Sequence, residues 1–150
     1  MSGVYVAYKA DTHHLRDALS MVGAFVNNAS LYDGHVTLIY SMPDGVAPEL
    51  TDIPDIASVI SCISIFDNPT QGAVAIVAEL EAPELQVVHS SLLATGLTHT
   101  FIPFKPHLSL GYGLTRLQAE YLIGKLTTLL VGKQVALHSV YHESLDDTWN

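Results

Sequence analysis

At 150 residues, with 49% apolar and 14% charged side chains, the chain is long enough to build a packed core and is unlike a disordered polypeptide. Six Lys plus Arg against fifteen Asp plus Glu give a formal charge of -9, which argues against long RNA or duplex DNA as a partner, because such binding neutralises a run of phosphates with cationic side chains. The single cysteine, Cys62, reads as a buried strand residue, and Met1 to Asp11 lacks the basic start and apolar stretch of a signal peptide, so a soluble, cytoplasmic chain without a membrane span is expected.

In chain order, Val4 to Lys9 reads as a strand. Asp11 or Thr12 can cap a helix with Leu15, Ala18, Leu19, Val22 and Val26 at helical spacing, ending at Asn27 and Asn28. Asp33-Gly34 opens a second strand, His35 to Tyr40, and a Pro-rich connection leads to a β-branched strand, Ala57 to Phe66. A turn at Asn68 to Gly72 precedes a strand from Ala73 to Leu80. Pro83 starts a helix that buries Leu85, Val88 and Leu92 and stops at Gly96. His107 to Tyr112 is the next strand, Arg116 to Leu130 a helix with Leu117, Tyr121, Leu126 and Leu130 on its apolar side, and Val135 to Glu143 the last strand. The interleaved order with hairpin neighbours predicts an α+β fold with mixed, mainly antiparallel sheets.

A shift of 72 residues lays His35-Val36-Thr37-Leu38-Ile39-Tyr40 on His107-Leu108-Ser109-Leu110-Gly111-Tyr112, and lays the strand and helix before the first segment on those before the second. A strand-helix-strand unit thus occurs twice, which predicts two lobes about a pseudo-twofold axis within a single domain over 1–150. Four His-x-Ser/Thr triplets occur in the chain. His89-Ser90-Ser91 falls in a helix, where residues two apart diverge, and His142-Glu143-Ser144 has no counterpart one repeat away. The repeat and the strand context single out the pairs at His35 and His107.

On a strand, residues two apart share a face, so His35 joins Thr37 and His107 joins Ser109, opposite the apolar Val36, Leu38, Leu108 and Leu110. Two imidazoles and two hydroxyls converging on one ligand suit a phosphodiester. One neutral His accepts the proton of an attacking hydroxyl, a protonated His supplies the leaving oxygen, and the hydroxyls donate to the non-bridging oxygens. No zinc spacing or carboxylate cluster accompanies the motifs, so neither a metal nor another cofactor is expected.

These paired motifs resemble the 2H phosphoesterase superfamily, and the likeness covers nearly the whole element order. It implies a bilobal α+β fold and metal-independent phosphodiester chemistry, with His35, Thr37, His107 and Ser109 in the catalytic positions. Within that superfamily, the chain length, the run from His35 to Ser41, and Glu143 and Trp149 near the C-terminus look most like phage anti-CBASS nucleases. That resemblance implies cleavage of 3'-5' bonds in cyclic di- and trinucleotide signals, including cGAMP-type molecules, by the ribose 2'-hydroxyl.

Further candidates for ligand contact are Tyr5 and Phe66, whose strand parity turns them toward the motifs, and Lys105, two residues before His107. Glu143 could accept from a base edge, and Trp149 could stack on a base. Each also has an ordinary structural reading, as strand packing, a solvated charge or a surface aromatic. The competing functions are a related enzyme for 2',3'-cyclic phosphate RNA ends or 2'-5' oligoadenylates, and a non-catalytic module that sequesters a nucleotide.

Overall fold

The computed structural model describes residues 3–26, 34–43, 53–68, 73–94 and 105–144. Its elements are β1 (Gly3–Ala10), α1 (Arg16–Gly23), β2 (His35–Pro43), β3 (Ile56–Asn68), β4 (Ala73–Glu81), α2 (Pro83–Ala94), β5 (His107–Leu114), α3 (Arg116–Leu130) and β6 (Gln134–Ser144). A short 3-10 turn, His13–Leu15, leads into α1, with Asp11 accepting a hydrogen bond from the His13 amide at 3.2 Å. The predicted order of strands and helices therefore holds.

The predicted assembly does not. Rather than forming two lobes with mixed sheets, the strands join in one closed antiparallel sheet in the order β1-β2-β5-β4-β3-β6. The closure comes from β6, which pairs with β1 on one side and with β3 on the other. Ser58, fully buried, reinforces it by donating to the Val135 carbonyl at 2.8 Å. Strand order in the chain reveals hairpin neighbours, whereas pairings across 80 or more residues, such as Ile56 with Leu137, depend on global packing. Within this sheet β1 pairs with β2 across α1, β4 pairs with β5 across α2, and the two pairs meet where β2 adjoins β5.

One face of the sheet packs against the helices. Val36, Leu38, Leu108 and Leu110, all 0% exposed, join Leu15, Leu19 and Val22 around α1 and Leu85, Val88 and Leu92 of α2 in a continuous core. The α1 and α2 side chains thus bury the residues their spacing predicts, except Val26, which lies beyond the end of α1 at Gly23 and is only partly buried. Helix α3 departs from expectation. It buries Ala119, Leu122, Leu126 and Leu130, leaving Leu117 79% and Tyr121 58% exposed. Its start is fixed by a capping box, in which Thr115 Oγ1 accepts from the Gln118 amide and Gln118 Oε1 accepts from the Thr115 amide.

Two irregularities re-aim side chains. A bulge between Ile60 and Cys62 changes the parity of β3, so Ser58 and Ile60 face the core while Ser64 and Phe66 lie on the other face. Cys62 is consequently exposed, not buried as expected. In β6, Ser139 has φ 53° and the register slips between Ala7 and Lys9. His138 is thereby set opposite Lys9 and His142 opposite Val6, so the common face that simple alternation predicts for these two His is lost.

Candidate active site

Strands β2 and β5 run antiparallel with Val36 opposite Leu108. Counting outward from that pair in opposite directions sets His35 across from Ser109 and Thr37 across from His107. All four are half-buried on the face away from the helices, while the residues between them are fully buried. Directly opposed residues on an antiparallel pair have Cβ atoms roughly 4.5–5.5 Å apart. The two His-x-hydroxyl motifs thus form one compact quartet on adjacent strands, instead of facing each other from separate lobes.

Two rows of side chains cross the sheet through this quartet. One runs from Lys9 on β1 through His35 and Ser109 to Val77 on β4. The other runs from Ala7 through Thr37 and His107 to Glu79, and on to Cys62 on β3. Close approach of β2 to the end of β1 requires Gly34. A Cβ there would lie 2.6 Å from Thr12 Cγ2 and 3.1 Å from Leu108 Cδ1, and the Gly34 carbonyl accepts from the Ala10 amide at 2.9 Å. The glycine immediately before His35 therefore seats the first imidazole.

His107 is held from two sides. Its Nδ1 lies 2.9 Å from the Lys105 carbonyl, which can only accept, so Nδ1 carries a hydrogen and Nε2 is the nitrogen left for a ligand. Phe66 packs against the ring with centroids 4.9 Å apart and planes at 63°. Phe66 thus lies beside the quartet. Lys105 is brought there through its backbone; its side chain is exposed, and β5 begins only after Pro106.

Sequence reasoning missed Glu79 and Lys9. Glu79 pairs with His107 and accepts a hydrogen bond from the Ser64 hydroxyl on β3. Its carboxyl is held below the ordinary carboxylate range, chiefly by that hydrogen bond and with help from Cys62, Lys105 and His107, while partial burial acts in the opposite direction. The available signal was a carboxylate inside the otherwise apolar run Ala73 to Leu80. Lys9, at the end of its strand in the sequence, pairs with His35.

Tyr5 and Glu143 are paired with each other across β1 and β6, and of both the backbone alone is described. Trp149 lies outside the described residues. Among the described residues, no three of His, Cys, Asp and Glu come together as a metal-binding group, and no helix is long and apolar enough to cross a membrane.

The quartet offers two proton carriers and two hydroxyl donors within the span of one phosphodiester, bordered by an aromatic ring, a carboxylate and a cation. Comparison with known proteins adds a family. The family profile described as "Anti-CBASS protein Acb1" matches residues 2–150. An "Anti-CBASS protein Acb1" of Vibrio phage KVP40 is 29% identical over 117 residues, which cover 77% of this chain and 68% of that protein. The structure of Kluyveromyces marxianus Usb1 is similar in fold, with a TM-score of 0.58 over 93% of this chain and 92% of that one at 14% identity.

Proposed function

The chain belongs to the anti-CBASS protein Acb1 family, and we propose that it counters CBASS, a bacterial defence that signals with cyclic oligonucleotides, as a phosphodiesterase of the 2H type, opening 3'-5' bonds of cyclic di- and trinucleotide signals. In this reading residues 1–150 act as one unit in the cytoplasm of the infected host. The carrying observation is the Val36–Leu108 register, which sets His35, Thr37, His107 and Ser109 on one face. Two imidazoles so placed serve the two proton transfers of a displacement at phosphorus, in which the ribose 2'-hydroxyl attacks and the 5'-oxygen departs. A 2',3'-cyclic phosphate and a linear product result.

Each imidazole contributes about 10²–10⁴-fold as a proton carrier. Thr37 and Ser109 donate to the non-bridging oxygens as charge develops, worth about 10²-fold each in a site shielded from bulk water. Phe66, beside His107, offers a ring on which a base can stack. Tyr5, Glu143 and Trp149 complete the proposed contacts to the ligand, and Lys105 adds positive charge at the edge. Neither a metal nor another cofactor enters the proposed reaction.

The test is incubation in EDTA with cyclic dinucleotides, a cyclic trinucleotide, 2'-5' oligoadenylate and an RNA ending in a 2',3'-cyclic phosphate, with products resolved by chromatography. Cyclic oligonucleotides are expected to be linearised in EDTA, and His35→Ala or His107→Ala to lose at least about 10²-fold in rate. Turnover confined to the RNA end or the 2'-5' oligomer would transfer the enzyme to that substrate class. Tight binding of a cyclic dinucleotide without product would make it a sequestering protein.

A further inference from the structure

His35 and His107 are chemically equivalent in the sequence repeat, but the sheet gives them opposite neighbours. Across from His107 on β4 stands the Glu79 carboxylate, anchored by Ser64 on β3. Across from His35 on β1 stands Lys9, whose own partner on β6 is His138. Resting on the proposed phosphodiesterase reading, we propose that Glu79, oriented by Ser64, is a positioning residue that commits His107 to donating the proton to the leaving oxygen, while His35, facing Lys9, accepts the proton of the attacking hydroxyl.

The electrostatic reason is the difference between the two rows. At His107 the Lys105 carbonyl holds Nδ1–H, so Nε2 is the nitrogen turned to the ligand, and the Glu79 carboxylate stands in register beside the ring. Phe66 and Thr37 are the uncharged neighbours from β3 and β2. Lys105 supplies the opposing charge, but it meets the ring with its carbonyl and keeps its side chain exposed. At His35 the register neighbours are Lys9 on β1, whose side chain is also exposed, and Ser109 on β5, so neither strand sets a carboxylate across from this ring as β4 does for His107.

The step balances. The 2'-oxygen forms its bond to phosphorus while the bond from phosphorus to the 5'-oxygen breaks. The 2'-hydroxyl proton passes to His35, and the Nε2 proton of His107 passes to the 5'-oxygen. Exchange with water returns each imidazole to its starting form.

A leaving group that needs no proton separates the roles. Full-length protein would be assayed on a cyclic dinucleotide and on the same molecule with sulfur replacing the scissile 5'-oxygen, since a thiolate departs unprotonated. Glu79→Gln is expected to slow the oxygen substrate about tenfold, and His107→Ala about 10²-fold or more, with both near the wild-type rate on the sulfur substrate. His35→Ala should be equally impaired on both. Ser64→Ala should show the Glu79→Gln pattern at smaller amplitude, and it carries the test if Glu79→Gln folds poorly. Equal loss on both substrates in Glu79→Gln and Ser64→Ala, or sulfur rescue of His35→Ala instead of His107→Ala, would overturn the assignment. Wild-type protein inert toward both substrates would instead overturn the phosphodiesterase reading, and this inference with it.

Discussion

Tyr8 shows how one side chain ties the scaffold beneath the site. It is 0% exposed on the core side of β1, and its hydroxyl donates to the Pro54 carbonyl at 2.7 Å, fastening the lead-in of β3 to the strand that pairs with β2. Burial, with the nearby Asp55 charge adding, pushes the phenol up from its ordinary 10.0 to about 12. The folded state therefore favours the neutral phenol. That stability is fully present below pH 10 and is lost as pH rises through the interval up to about 12. A denaturation series should show stability falling above pH 10 by up to about 1.4 kcal/mol per pH unit. Tyr8→Phe should cost about 1 kcal/mol at neutral pH and flatten that alkaline decline. An unchanged slope in Tyr8→Phe would assign the decline to other groups.

Among the elements, β2 depends on Gly34. Gly34→Ala would drive a methyl into the buried Thr12, so about 1–3 kcal/mol of stability should be lost. Because His35 follows directly, activity should fall further than the melting shift explains; equal activity per folded molecule would show that β2 adjusts without moving the imidazole. The sequence repeat and strand alternation made the β2 and β5 motifs legible, together with the faces of α1 and α2. Alternation failed where it is broken locally. The bulge after Ile60 sent Ser58 to the core and exposed Cys62, and the slip around Ser139 separated the faces of His138 and His142. Helix α3 packs one stripe away from the one its spacing predicts, because Leu122 and Ala119 win the core contacts that Leu117 and Tyr121 also suit in spacing. Glu79 was not recognised because its meaning comes from His107 and Ser64, 28 and 15 positions away. Such neighbours are set by strand pairing, which local periodicity does not report.

At the scale of the whole molecule, the strand order β1-β2-β5-β4 places Lys9, His35, His107 and Glu79 on four adjacent strands, and closure through β6 and β3 braces that wall from behind. Rigidity of that kind preserves the geometry an acid-base pair needs. The net charge of -9 works against capture of an anionic ligand, and of the six Lys and Arg, Lys9 and Lys105 are the two adjoining the quartet. Screening should consequently raise the association rate of a cyclic dinucleotide between low and physiological salt, read by stopped flow. A falling rate would mean that local cations outweigh the global charge.

In the proposed reaction the two His-x-hydroxyl motifs act together on one phosphodiester whose own 2'-hydroxyl is the nucleophile. It is tested most directly by comparing cleavage of a cyclic dinucleotide with that of its counterpart carrying a 2'-O-methyl group at each ribose, in EDTA. Linear product is expected from the first and none from the second, although the second still binds. Cleavage of the methylated ring at the unmodified rate would contradict it and require attack by water.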